Sequence, residues 1–183
     1  MKIKNISLKD LAICVSDFLS KHGVDVVLSG GACVTVYTHN KYMSYDLDFV
    51  LISTEKQKEI KSILEKIGFH ADGRHFKHKD TDFFIEFIPP PLSVGEEPVK
   101  EISVIRKGNR TLKLLSPTDC VKDRLAAYYH WNDRQSLEQA ILVCENNPID
   151  LRELERWSKN EGMSAKFNIF KRLLSPDSSS RLA

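Results

Sequence analysis

Residues 24–52 read VDVVLSGGACVTVYTHNKYMSYDLDFVLI, and this stretch decides the fold. Val24 to Leu28 is a short β-branched run of the kind that forms a buried strand. Ser29-Gly30-Gly31 breaks it, and Ala32 to Thr38 is compatible with a helix. Asp46 to Ile52 again has strand composition, and its first residues alternate carboxylate with apolar side chain. Residues two apart on a strand face the same way, so Asp46 and Asp48 should point together while Leu47 and Phe49 face the core. Two hard oxygen donors of the kind Mg²⁺ prefers then converge on one spot. An Asp-x-Asp by itself is usually solvated charge at a strand end. Here it follows a strand, a glycine turn and a helix start, whose free N–H groups attract phosphate and whose missing side chains allow close approach.

On the N-terminal side, Ser7 followed three residues later by Asp10 resembles a capping box, and Leu8, Leu11, Ala12, Val15, Phe18 and Leu19 recur at helical spacing up to a stop at Gly23. On the C-terminal side, residues 54–67 form a charged amphipathic helical pattern. Asp82 to Ile88 (DFFIEFI) is a further strand, ended by Pro89 to Pro91. Glu101 to Arg106 and Thr111 to Leu115 flank Lys107-Gly108-Asn109, which predicts a hairpin. Ser116-Pro117-Thr118-Asp119 supplies an N-cap and a first-position proline for a helix running to about Trp131. Residues 134–145, 150–160 and 164–173 read as three more helices, punctuated by Pro148 and Gly162. The class is therefore α/β (α+β), an α/β pattern up to about residue 115 followed by helices alone. The expected division is a catalytic lobe over 1–115, a helical lobe over 116–175 and a flexible tail over 176–183, with Ser178 to Ser180 frayed.

LSGGACVTVY (28–37), SYDLDFV (44–50) and FFIEF (83–87) together resemble the nucleotidyltransferases of the DNA polymerase beta superfamily, over roughly residues 24 to 88. The resemblance implies the nucleotidyltransferase-fold mixed sheet with a C-terminal helical lobe, Gly30 and Gly31 as a phosphate-binding turn, and Asp46 and Asp48 as Mg²⁺ ligands. It also implies Glu86 as the third carboxylate, binding metal or accepting the nucleophile's proton. Asp82 shares the strand face of Glu86 and is the alternative. The spacing of 14 residues between Gly31 and Asp46 is slightly long for the family.

Ser44, two residues before Asp46, gives an S-x-D-x-D variant similar to the toxin nucleotidyltransferases of type IV toxin–antitoxin and abortive-infection systems; as a plain turn residue it reads almost equally well. Those proteins often carry Arg two places before the serine, where this chain has Tyr42 beside Lys41. Residues 120–134 are similar to a helix of the family's C-terminal lobe. That likeness implies that Lys122 neutralises triphosphate charge and that Asp133 orients the triphosphate or binds base or ribose; the second Asp often found a few residues further on is absent. The same stretch reads equally as a solvated face of Lys122, Asp123 and Arg124, with Tyr128, Tyr129 and Trp131 packing a lobe interface. The activity implied is Mg²⁺-dependent transfer of a nucleoside monophosphate from an NTP to an acceptor hydroxyl on RNA such as tRNA, on protein or on a small molecule, with an antitoxin as a further partner. A non-catalytic interaction protein with the same fold is the alternative.

Bulk properties agree with a soluble enzyme and exclude other classes. With 183 residues, 42% of them hydrophobic and 28% charged, the chain can bury a sizeable core and is neither a disordered nor a disulfide-framework protein. A net charge of +2 is too small for a generally nucleic-acid-binding surface. The cations Lys100, Arg106, Lys107, Arg110 and Lys113 form a local cluster that suits either a nucleic-acid backbone or a solvated hairpin. Cys14, Cys33, Cys120 and Cys144 make no C-x-x-C pair and read as reduced thiols of a cytoplasmic protein. Lys9, Asp10 and Asp17 interrupt the apolar residues of the first helix, so no signal peptide or membrane span is expected there. His70, His75 and His78 read as surface histidines of a loop, without the spacing of a zinc site. Walker (Gly-Lys-Ser/Thr) and Rossmann (G-x-G-x-x-G) phosphate loops are both missing.

Overall fold

The computed structural model describes residues 3–174. The expected tail, with Ser178 to Ser180, lies outside the described residues, as does residue 175 at the end of the expected helical lobe. Helix α1 (Leu8–Lys21) starts where the Ser7 hydroxyl accepts the Asp10 N–H at 3.1 Å, and it buries Leu8, Leu11, Ala12, Val15 and Leu19. Strand β1 (Val26–Leu28) leads through Ser29 into α2 (Gly30–Tyr37), and β2 (Asp46–Leu51) follows. Within the segment expected to be one helix over 54–67, only Ile60–Glu65 (α3) is α-helical, after a 3-10 turn at Gln57–Glu59. The intrinsic preference of these charged residues is realised only where Ile60, Ile63 and Leu64 find a surface to pack on.

The loop expected around His70, His75 and His78 is instead a hairpin of β3 (His70–Asp72) and β4 (His75–His78), turning at Gly73. Polar residues form these strands because backbone pairing carries them, β3 on β4 and β4 on β5 (Thr81–Ile88), while Phe76 packs against the apolar core. A second small hairpin, β6 (Ser93–Val94) and β7 (Glu97–Pro98), follows the prolines. Strands β8 (Ile102–Lys107) and β9 (Arg110–Leu115) make the expected hairpin. Helices α4 (Pro117–Trp131), α5 (Arg134–Asn146), α6 (Leu151–Asn160) and α7 (Ser164–Leu173) complete the described chain.

Seven strands form one mixed sheet in the order β3-β4-β5-β2-β1-β9-β8. The pairings of β2 with β5 and of β1 with β9 are parallel, and the others are antiparallel. A continuous apolar core joins sheet and helices: Leu28, Phe49 and Leu114 belong to the same buried cluster as Val34 of α2, Val121 and Leu125 of α4, and Trp157 of α6. The fully buried Trp157 stacks on Tyr129 at 5.7 Å between ring centroids and donates its indole N–H to the Val94 carbonyl. The residues after Ser116 are thereby fastened to the sheet through shared apolar contacts.

Candidate active site

Strand β2 fixes the two aspartates. Leu47, Phe49 and Leu51 are buried on one face, which leaves Asp46 and Asp48 together on the other, partly accessible. The parallel register sets Asp48 level with Glu86 and Asp46 level with Phe84. Asp82 is exposed and lies two residues before Phe84, past the end of the β2 ladder. Glu86 is therefore the carboxylate that the sheet brings beside Asp48. Its oxygens meet Arg74 Nε at 3.4 Å and His75 Nε2 at 3.3 Å, and the His75 ring packs on Phe84 at 4.7 Å.

The glycine turn approaches the aspartates from the neighbouring strand. Ser29 donates its backbone N–H to the Asp48 carbonyl at 2.9 Å, which extends the β1–β2 ladder by one step and delivers Gly30 against Asp48. Gly30 has φ +63, and a Cβ there would fall on the Asp48 carboxylate. Both the left-handed backbone and the missing side chain are required at this position. At Gly31 a Cβ would stand 3.0 Å from the Ser44 hydroxyl. Thr35 links the two segments, accepting the Ser44 N–H at 2.9 Å and donating to the Gly31 carbonyl at 3.1 Å. The Ser44 hydroxyl in turn donates to Asp46 Oδ1. The earliest helical bond of α2 runs from Cys33 N–H to the Ser29 carbonyl, so the N–H groups before it have no intrahelical partner.

Electrostatically the site carries unbalanced negative charge. Burial pushes the Asp48 carboxyl up to about 7; Asp46 adds to the rise, Arg124 opposes it, and Asp123 and Glu86 contribute further. Arg124 is the cation held near the pair. Its guanidinium donates to Asp123 Oδ2 at 3.0 and 2.5 Å and to Gln139 Oε1 at 3.4 Å. Burial opposes its charge, but Asp123 more than offsets that and Asp48 adds to the effect. Tyr42 stands among the same groups, its phenol raised first by burial and then by Asp46, with Asp133 adding and Arg124 opposing.

Lys122 is not part of this cluster. Its Nζ is buried between Glu153 Oε1 at 2.7 Å and Asp119 Oδ1 at 3.2 Å. Positions 122 and 124 lie roughly 200° apart around a helix, so when Arg124 turns to the aspartates Lys122 must turn to α6. Neither solvated nor facing Asp46 and Asp48, it ties two helices together. Lys122→Ala is accordingly expected to lower stability by about 1–3 kcal/mol, because it strands Asp119 beside Glu153, the Arg156 pair of Glu153 limiting the loss. Urea unfolding checks this, and Lys122→Arg should retain most of the stability. Asp133 sits at the edge of the site, but its carboxylate caps α5, accepting the Gln135 and Ser136 N–H groups at 3.0 and 3.3 Å and the Ser136 hydroxyl at 2.7 Å.

Among the described residues no three His, Cys, Asp or Glu side chains stand close enough to hold one metal ion. The all-oxygen pair Asp46–Asp48 nonetheless suits a hard divalent cation, since the charge that raises the Asp48 pKa is what such an ion would neutralise. Glu86 is engaged by Arg74 and His75 instead of converging with the pair. Sequence reasoning gives Arg124 no role other than in one of two readings, a solvated face, and takes His75 for a surface histidine of a loop; nothing in it points to Thr35.

No family model matches the chain, and no curated protein matches it in sequence. Solved structures match it in fold. An antigenic nucleotidyltransferase-like protein from Paracoccidioides brasiliensis superposes with a TM-score of 0.70 at 15% identity, over 97% of this chain and 93% of that one. ANT(2")-Ia in complex with adenylyl-2"-tobramycin gives 0.51 at 13% identity, over 88% and 97%. The lincosamide antibiotic adenylyltransferase LnuA, lincomycin-bound, gives 0.51 at 18%, over 75% and 98%. At such identities the likeness is one of architecture. The mixed sheet and its helices have the nucleotidyltransferase fold.

Proposed function

We propose that this chain transfers a nucleoside monophosphate from an NTP to an acceptor hydroxyl, with Mg²⁺ as cofactor and pyrophosphate as leaving group. The observation that carries this reading is the contact between Gly30 and Asp48: a side-chain-free turn opening a helix stands directly against one of two same-facing carboxylates. In this reading the N–H groups at the start of α2 receive phosphate oxygens, Asp46 and Asp48 hold the ion, and Ser44 orients Asp46 through its hydroxyl. Bound there, Mg²⁺ supplies charge neutralisation and polarises the reacting phosphoryl group. The acceptor oxygen bonds to the α-phosphorus, the bond from that phosphorus to the pyrophosphate oxygen breaks, and the hydroxyl proton passes to Glu86. Arg124, the cation whose charge reaches Asp48, offsets triphosphate charge in the role first assigned to Lys122. Such a reaction depends on positioning and electrostatics more than on a covalent nucleophile, which suits the constellation.

For the acceptor, the resemblance of Ser44-x-Asp46-x-Asp48 to toxin nucleotidyltransferases favours RNA such as tRNA or protein, with an antitoxin as partner. The structural likeness to ANT(2")-Ia carrying adenylyl-tobramycin and to LnuA carrying lincomycin favours a small molecule. A cytoplasmic setting, with its NTP pool, belongs to the same proposal. It is consistent with the free thiols Cys14, Cys33, Cys120 and Cys144; no described helix is long and apolar enough to cross a membrane. The test is to incubate the chain with each labelled NTP, Mg²⁺ and a cell extract. One acceptor fraction is expected to take up label, and RNase or protease sensitivity then identifies its class. Absence of label with every NTP and extract would select the competing reading, a non-catalytic interaction protein built on this fold.

A further inference from the structure

The sheet ends differently on its two sides. On one side β3 is three residues long and polar, with Lys77 of β4 pairing to Asp72 at 2.7 Å. On the other, β8 is a six-residue edge strand without proline or glycine, hydrogen-bonded within the sheet to β9 alone. Its side chains alternate. Ile102, Val104 and Arg106 stand exposed on one face, the first two with 40% and 47% of their surface open. Ser103 and Ile105 are half-buried on the other face, where Lys107 pairs with Asp10 of α1 at 2.7 Å. Glu101, just before the strand, is exposed and has no ion-pair partner among the described residues. A long edge strand with open backbone and an apolar face is a template for pairing with another chain.

We propose that β8 pairs antiparallel with β8 of a second copy of this chain, about a two-fold axis through Val104, so that the two sheets become continuous. Opposed residues of paired strands must share a face, which requires the axis to pass through a residue position. With Val104 on the axis, the valines oppose one another and Ile102 of each copy lies against the stem of the other's Arg106. Glu101 of each copy then meets Lys107 of the other on the α1 side, joining the Lys107–Asp10 pair at both ends of the ladder. An axis at Ser103 would set Lys100 against Arg106, and like charges directly opposite are destabilising. An axis at Ile105 would give β8 the same five-residue overlap but leave Glu101 facing Asn109, without an opposite charge. The strand's own charges therefore select the Val104 register. This pairing also gives the cation cluster of residues 100–113 a use other than binding nucleic acid: Lys113 is already paired with Asp25 at 2.8 Å, and Lys107 and Arg106 are drawn into the interface.

Sedimentation velocity of the whole chain over a wide concentration range tests this. The wild type should dimerise reversibly, and both Val104→Lys and Glu101→Lys should raise the dimer dissociation constant by roughly tenfold or more while circular dichroism stays native. Combining Glu101→Lys with Lys107→Glu, and with Asp10→Lys so that the new glutamate keeps an oppositely charged neighbour on α1, restores opposite charges across the axis and should recover the dimer. A wild type that stays monomeric at every concentration, or a dimer that both single substitutions leave unchanged, overturns the proposal. Failure of the charge swap to recover association overturns the register.

Discussion

Replacing Asp46 and Asp48 together by asparagine is expected to lower nucleotidyl transfer by about 10³-fold or more, since it removes both charges from the ion site while preserving side-chain size. The same substitution should stabilise the metal-free protein at neutral pH, and the direction follows from Asp48. Its carboxyl is raised in the fold to about 7 from an ordinary value of 3.8, so between those values the native state binds more protons than the unfolded chain. Stability contributed by the protonated form is present in acid and lost as pH rises through the folded pKa, the loss amounting to ~2–4 kcal/mol by the time pH passes neutrality. Asp48→Asn alone should flatten that decline, which thermal unfolding in chelator between pH 4 and 8 would measure. Mg²⁺ should restore wild-type stability at pH 8 and have little effect on the double variant. Equal transfer by wild type and double variant would remove the acidic pair from the chemistry, whatever the stability data show.

The parts of this molecule that were legible in the sequence are those where local chemistry and tertiary demand coincide. Helix α4 starts at Pro117 and ends at Trp131 because Ser116 accepts the Asp119 N–H at 3.1 Å and Asn132 takes a left-handed conformation, both written into residue type. The parity of Asp46 and Asp48 was legible for the same reason, since alternation on a strand is local. Less could be read where the answer depended on what packs against an element. Both sides of α4 are engaged, one holding Arg124 near Asp48 and the other holding Lys122 against Glu153, and a charged triplet carries no sign of which residue turns which way. Strands β3 and β4 escaped notice because their order comes from the register His75–Glu86, a contact made across the sheet. That register, continued by Glu86 with Asp48, is also what brings Glu86 and not Asp82 level with Asp48, a placement that strand parity alone left open.

Gly30→Ala should be the most damaging single-methyl change in the described chain. The backbone there has φ +63, which costs an L-residue about 1–2 kcal/mol, and the added carbon must displace the Asp48 carboxylate, which β2 holds in place through the buried neighbours Leu47 and Phe49. Together these should lower stability by ~2–4 kcal/mol, or roughly 5–15 °C in Tm for a chain of this size. Transfer should fall further than stability does. Moving a metal-binding carboxylate by even about 1 Å can cost on the order of 10²-fold in rate, and the new methyl also fills the space in which the turn would meet phosphate. Gly31→Ala is the matched comparison: its backbone is not left-handed, and its Cβ would stand 3.0 Å from the Ser44 hydroxyl and 3.3 Å from Ser44 Cβ, a tight contact relieved by a shift of a few tenths of an ångström. It should lose less stability than Gly30→Ala, and lose activity through the disturbed Ser44–Asp46 bond and through the methyl added to the phosphate-facing turn. Measuring Tm together with metal-dependent transfer for both variants separates the two causes, because a purely structural glycine at position 30 would lower Tm while leaving the activity of the folded fraction unchanged.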